Sequence, residues 1–343
     1  MKKIESQGDN LCIVSGDDIR KLLAGKEEKI IQLIRDAYIS HQKGDSSFPH
    51  STFLRFPTKS QNRIIGLPAY INKTAGIKWI ASFPNNIAKG IDRASATIIL
   101  NSLNTGRPYA IIEGSIISAK RTAASAALAV KVLSKNNDIK KLAFVGCGLI
   151  NFEILIFLIS QFHSMESISL FDLDNERAHL FSEKATAITN IKIKIINNIE
   201  DIFKSSEVVS FATTASTPYI MDKSLLQKGS IVLHISLRDL GPDVIKNSLN
   251  VVDNLEHVNR ENTSIYLASQ TYGNTNFVAA SLGELLFGLK SLPNETQPLI
   301  FSPFGLGILD IQLAKFVYEQ ALKQGMGVLV KNFIPPSWYE RSY

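Results

Sequence analysis

The stretch KLAFVGCGLINFEIL, Lys141–Leu155, constrains the fold of this chain more than any other. A short apolar run ends at Gly146, a second glycine follows at Gly148, and a longer apolar run starts at once. Strand, tight turn and helix in that order describe one βα unit. In such a turn the first glycine permits the change of direction and the second lets a pyrophosphate approach the main chain. The helix N-terminus that follows Leu149 and Ile150 then stabilises the phosphate charge. An acid at the end of the next strand, about 20 residues on, completes the dinucleotide pattern. Asp172 stands there, after SISLF. Its carboxylate suits ribose hydroxyls and repels a 2′-phosphate, so NAD is expected rather than NADP. The third motif position is Asn151 where glycine or alanine is usual. That departure bears on helix–sheet packing and leaves the phosphate contact untouched.

Around this unit, strand and helix patterns alternate. SISLFD (167–172), IKIKII (191–196), EVVSFAT (207–213), SIVLHIS (230–236) and NVVD (250–253) read as strands. Apolar residues 151–162 and the charged segment 175–189 read as helices between them. Strands separated by helices of this length imply right-handed βαβ units in a Rossmann-type, doubly wound parallel sheet. The first 120 residues differ. RIIGLPAYI, AGIKWIAS, ASATIILN and RPYAIIEG are β-rich runs without long helices between them, and NTGRP supplies a turn. They predict a second, mainly antiparallel domain. An alanine-rich helix over 118–134 connects the two, and an amphipathic helix over 310–324 is expected to pack back on the first. The fold class is therefore α/β. Residues 1–125 with 306–343 are expected to form the substrate-binding and dimerisation domain, and 126–305 the dinucleotide-binding domain.

The 343 residues suffice for two such cores. Lys and Arg number 37 against 31 Asp and Glu, scattered, with no basic block and no interleaved aromatics, which argues against nucleic-acid binding. The net charge of +6 suits an anionic small ligand. MKKIESQGDN lacks the apolar stretch of a signal peptide, and ILIFLI (154–159) is too short to cross a bilayer, so a cytoplasmic protein without a membrane partner is expected. Two isolated cysteines and six histidines without ligand spacing give no metal site.

Candidate chemistry sits at a few positions. Lys78 lies in the otherwise apolar AGIKWIAS: on a solvent face it is ordinary, and facing inward its ammonium can pair with a substrate carboxylate. Asp239 follows VLHISLR at a strand's C-terminal end, where open α/β sheets place their ligands, although an aspartate before LGP also suits a turn. Thr213 and Thr214 end one strand, and Ser236 and Leu237 the next, both facing the expected cofactor. His234, inside a strand, reads as a core residue.

The ordered segments GIKWI (76–80), RTAASAALA (121–129), GCGLI (146–150), LRDLGPDVI (237–245) and SPFGLGILD (302–310) resemble the ornithine cyclodeaminase/μ-crystallin family over nearly the whole chain. RASATIILN (93–101) and EGSIISAKRTAASAA (113–127) look closest to its SbnB-type branch, dehydrogenases of 2,3-diaminopropionate biosynthesis for siderophores and peptide antibiotics. The resemblance implies a homodimer joined through the β-rich domain, with the substrate in the cleft to the Rossmann domain. It assigns Lys78 to the substrate carboxylate and Asp239 to acid–base work. Arg121 goes to the junction of substrate and cofactor, and Arg55 and Arg93 to further substrate contacts. Ser95 and Thr122 complete the cofactor set, and Pro303, Phe304 and Gly305 close the site.

The implied substrate, N-(1-amino-1-carboxy-2-ethyl)-glutamate, carries three carboxylates, which four cationic side chains would suit. Ornithine cyclodeaminase is the alternative: its substrate has a distal ammonium that asks for a further acid, and no candidate stands out in the sequence. Alanine dehydrogenase or ketimine reductase activity uses the same scaffold. A crystallin-like binding protein is the non-enzymatic alternative, and retention of Lys78 and Asp239 argues against it.

Overall fold

The computed structural model describes residues 10–134, 138–204, 206–293 and 297–340. The N-terminal MKKIESQGD and the last three residues of SWYERSY lie outside them. The chain divides into two compact units, Met1–Arg121 with Leu306–Tyr343, and Thr122–Gly305. In chain order the first strands are β1 (Leu11–Val14), β2 (Ser46–Ser47), β3 (Thr52–Phe56), β4 (Lys59–Ile71), β5 (Thr74–Ser82), β6 (Ala94–Asn101) and β7 (Pro108–Glu113). They are followed by β8 (Lys141–Val145), β9 (Ser167–Phe171), β10 (Lys192–Ile195), β11 (Val208–Phe211) and β12 (Ile231–His234). The last are β13 (Leu249–Val252), β14 (Val278–Ser281), β15 (Leu299–Ser302) and β16 (Val328–Val330).

The first unit carries the sheet β16-β1-β7-β6-β5-β4-β2, with β3 also on β4. Its pairs are antiparallel apart from β1 with β7. Asn72 and Lys73, both at positive φ, make the two-residue turn between β4 and β5, the geometry that matches the twist of a hairpin. Two N-terminal helices, Gly16–Leu23 and Glu27–Gln42, precede the β-rich run. The second buries Ile30, Ile31, Ile34, Ala37 and Tyr38 on one face. Helix Gly307–Gln324 packs on β4, β5, β6 and helix Glu27–Gln42, all within this unit.

The connecting helix spans Ser115–Leu133, three residues longer at its start than its alanine pattern indicates. Glu113 explains the extension. Its carboxylate, at the end of β7, accepts hydrogen bonds from the amides of Ser115 (2.6 Å) and Ile116 (3.1 Å), satisfying donors that open a helix.

The second unit is one parallel sheet, β10-β9-β8-β11-β12-β15-β13-β14. From β8 the chain order runs outward through β9 to β10 on one side and through β11 to β12 on the other, so the turn after β8 lies at the topological switch point, where ligands of such sheets bind. β11 and β12 are buried throughout and β8 from Leu142 to Val145, as strands covered on both faces require. Val145, Phe211, Val232 and Ile300 belong to the core that holds their C-terminal ends in place.

Candidate functional site

In the second unit the turn Gly146–Gly148 joins β8 to helix Leu149–Gln161. Its two glycines have different reasons. Gly146 has φ of 89°, and a Cβ there would stand 2.6 Å from the Ala212 carbonyl oxygen, so the fold itself demands glycine. Gly148 is extended, with φ of −102°, and a Cβ there would meet only the Arg177 guanidinium, at an ordinary 3.4 Å. The fold does not exclude a side chain at 148. The bare main chain there leaves room for a ligand to approach it. No side chain caps the following helix, whose first amides are thereby left to a ligand.

Asn151 supplies what the missing third glycine would have. Fully buried, its amide group lies 3.0 Å from the Val145 carbonyl, 2.7 Å from that of Gly146 and 3.3 Å from that of Ser210, while its oxygen accepts from Ser210 Oγ at 2.7 Å. It ties the turn to β11 by hydrogen bonds instead of by close packing. Asp172 directly follows the last residue of β9. Its Oδ2 accepts from the Cys147 amide (2.6 Å) and its Oδ1 from that of Asp174 (3.0 Å), so the carboxylate is fixed beside the turn with lone pairs to spare. Leu149 is exposed and Ile150 half-buried at the turn.

Asp239 lies in the loop after β12, fully buried. Thr213 Oγ1 donates to its Oδ1 at 2.5 Å, and Tyr219 Oη to the same oxygen at 3.1 Å. Ser236 Oγ donates to Oδ2 at 2.5 Å. His234 is in the core, as its strand position indicates, but it is not a bland core residue. Its Nε2 stands 3.2 Å from Asp239 Oδ2 and 3.1 Å from the Asp239 amide, and its Nδ1 3.3 Å from Ser302 Oγ. One nitrogen cannot both donate to the carboxylate and accept from the amide, so the tautomer decides which contact is made. Burial pushes the Asp239 carboxyl up, but hydrogen bonds from His234, Ser236 and Thr213 and the His234 charge outweigh it and hold it at about 2. Burial and the Asp239 charge together push the Tyr219 phenol far up, so it remains a donor. Leu237 takes φ of 66°, uncommon for its type, and its carbonyl accepts from the Ser264 amide at 2.7 Å, which fixes the loop. Thr214 is exposed. Asp253 accepts from the amides of Phe304 (3.0 Å) and Gly305 (2.6 Å), bracing the segment after Pro303.

In the first unit, Lys78 faces inward, 2% exposed. Its Nζ donates to Asp310 Oδ2 at 2.7 Å and Ser118 Oγ at 3.1 Å. Arg121 Nε donates to Asp310 Oδ1 at 3.1 Å. Asp310, in the first turn of helix Gly307–Gln324, is fully buried. Two cations therefore share one anion, which leaves the cluster with one positive charge, away from water and suited to a carboxylate. Burial pushes Lys78 down to about 8, against the pull of Asp310 and with the push of Arg121. Asp310 closes SPFGLGILD, yet no periodicity marks an acid in an apolar helix turn as functional; its burial is the signal.

The other expected residues do not join these clusters through the contacts above. Arg55 is exposed on β3, its guanidinium 5.3 Å from the Phe53 ring centre. Arg93 is half-buried just before β6, where its carbonyl accepts from the Phe83 amide. Ser95 is exposed on β6, opposite Ala81. Thr122 is buried, at the residue after Arg121 in the connecting helix. Among the described residues no group of three or more His, Cys, Asp or Glu is arranged to hold a metal ion, and no helix is long and apolar enough to cross a membrane.

Residues 17–325 match the model of the ornithine cyclodeaminase/mu-crystallin family. The chain is 32% identical to the N-((2S)-2-amino-2-carboxyethyl)-L-glutamate dehydrogenase of Staphylococcus aureus, across 94% of this chain and 99% of that protein. It is 26% identical to the alanine dehydrogenase of Archaeoglobus fulgidus, across 94% and 98% of the two chains. The solved Δ1-pyrroline-2-carboxylate reductase of Thermococcus litoralis, in complex with NADH and L-proline, superposes with a TM-score of 0.87 at 26% identity, covering 93% of this chain and 99% of that one.

Proposed function

The chain belongs to the ornithine cyclodeaminase/mu-crystallin family, and from that membership we propose that it is an NAD-dependent oxidoreductase acting on a secondary amine of an amino acid. The substrate we propose is N-(1-amino-1-carboxy-2-ethyl)-glutamate, and the products are 2-oxoglutarate and L-2,3-diaminopropionate. The likeness to the Staphylococcus aureus enzyme over nearly the whole of both chains carries that choice.

NAD suits the residues present: Gly148 carries no side chain where the fold would admit one, the helix behind it is uncapped, and Asp172 is fixed beside it. When bound, it supplies the acceptor for the hydride that leaves the glutamate α-carbon. The chain's own residues do the rest. Lys78 and Arg121, held by Asp310, take a substrate carboxylate on their surplus positive charge. Asp239, ionised at neutral pH, stabilises the positive charge that develops as the amine becomes an imine, and directs water to the imine carbon. Tyr219, Ser236 and Thr213 fix the orientation of its oxygens. The water's oxygen stays on the carbon as the ketone of 2-oxoglutarate, the C–N bond breaks, and the nitrogen leaves as the amine of 2,3-diaminopropionate. One NADH forms for each C–N bond cleaved.

Asp310 does not offer the acid that cyclodeamination of ornithine asks for. A distal substrate ammonium needs a free acid, and although Asp310 is a buried acid, both its oxygens are engaged by Lys78 and Arg121. As in the family resemblance, the working form is a homodimer; the exposed Leu54 and Trp79 on the first unit's sheet suit burial against a second copy. A soluble enzyme of the cytoplasm completes the proposal.

The test is NADH formation by the purified protein with NAD⁺ and, in turn, the aminocarboxyethyl-glutamate conjugate, L-ornithine and L-alanine. Turnover with the conjugate alone supports the proposal. Proline from ornithine without net NADH, or NADH from alanine alone, replaces it.

A further inference from the structure

We propose that Arg177 is a further ligand of the cofactor, binding the phosphate on its adenosine side; this rests on the NAD reading above. Arg177 lies in the first turn of helix Asn175–Thr186. The N-cap Asp174 accepts from the amides of Glu176 (3.0 Å) and Arg177 (3.4 Å), which fixes where the arginine side chain departs. From there the guanidinium reaches the glycine turn. Its Nη2 is 3.4 Å from the position a Cβ on Gly148 would occupy, and its Nε is 4.0 Å from Asp172 Oδ2. One planar cation thus spans from the acid expected on the ribose to the amides expected on the pyrophosphate.

The charges around it leave it available. Asp174 turns its carboxylate into the helix start, and Asp172 Oδ2 is already bound by the Cys147 amide at 2.6 Å. At 4.0 Å, Arg177 and Asp172 attract each other without a hydrogen bond, so the guanidinium's donors stay open to an anion at the turn. The helix N-terminus and the glycine amides offer partial charges only, and a phosphate between them and Arg177 gains a full countercharge in fork geometry. No residue of the sequence motif supplies this cation, because it comes from the helix beyond the next strand.

The experiment titrates the full-length protein with NADH, and separately with ADP, in the wild type, Arg177→Ala and Arg177→Lys. Arg177 is part-exposed on a helix surface, so circular dichroism is expected to be unchanged. Loss of a charge-assisted phosphate contact predicts that Arg177→Ala weakens NADH and ADP alike, by about tenfold or more, with partial recovery in Arg177→Lys. Wild-type affinity for both ligands in Arg177→Ala overturns the assignment. Weakened NADH with unchanged ADP overturns it too, since the contact then lies outside the adenosine half. Failure of the wild type itself to bind NADH overturns the cofactor reading, and Arg177 falls with it.

Discussion

Asp310 Oδ2 lies 2.7 Å from Lys78 Nζ, joining the first turn of a helix near the end of the chain to the middle of a strand more than two hundred residues earlier. The same carboxylate holds Arg121. Asp310→Asn leaves two buried cations without their anion, and breaking such a pair costs about 3–5 kcal/mol. Urea unfolding is expected to show that loss. At substrate concentrations where the variant is folded, KM for the carboxylate substrate rises more than kcat falls, because the residue positions binding groups and does not touch the reacting atoms.

With Lys78 as the proposed carboxylate ligand, activity is expected to show a basic limb. With its ammonium at about 8 in the folded chain, against 10.5 unfolded, its carboxylate-binding charge is lost as pH rises through about 8. KM is expected to climb above that pH. Stability moves oppositely: between about 8 and 10.5 the unfolded chain binds the proton that the folded one releases, so this group's penalty is relieved as pH rises. A KM flat to pH 10 contradicts Lys78 as the carboxylate ligand.

Asp239→Asn is expected to cut kcat about 100-fold or more while NADH binding is kept. The carboxyl sits at about 2 in the folded chain and at 3.8 unfolded, so its contribution to stability is complete above 3.8 and lost as pH falls through about 2. Any acid limb of activity between pH 5 and 7 therefore belongs to another group. Replacing His234 by Gln removes a group that lowers the Asp239 pKa and shifts the acid limb of Asp239 upward, which the pH profile of kcat/KM reads.

Asn151→Ala separates packing from cofactor chemistry. It strips the amide contacts to Val145, Gly146 and Ser210 and leaves Ser210 Oγ without its acceptor, a loss of about 2–3 kcal/mol. In the proposed reading the Gly148 turn carries the phosphate contact, so NADH affinity in the folded variant is expected to hold within about threefold.

The centre of the sheet around β8 was legible because KLAFV, VVSF and IVLH are mainly apolar runs and two glycines end the first of them. Helix Glu27–Gln42 has apolar spacing of its own, at Ile30, Ile34, Ala37 and Tyr38, but sits beside β-rich segments that dominate a reading for strands. The start of the connecting helix depends on Glu113, a side chain in the preceding strand, which an alanine pattern does not carry. At the site, Lys78 and Asp239 stand out as charges in apolar runs. Asp310 and His234 do not, because what gives them a role is a partner brought by the fold: Lys78 and Arg121 for one, the Asp239 carboxylate for the other. Arg177 is invisible for the same reason, its partners Gly148 and Asp172 lying one strand back.

The most direct test of the account measures all three products of one reaction: NADH, 2-oxoglutarate and 2,3-diaminopropionate formed from the aminocarboxyethyl-glutamate conjugate and NAD⁺. Equal amounts of the three, lost together in Asp239→Asn, are the expected result. No release of 2,3-diaminopropionate, with NADH forming instead from alanine or proline from ornithine, would contradict it.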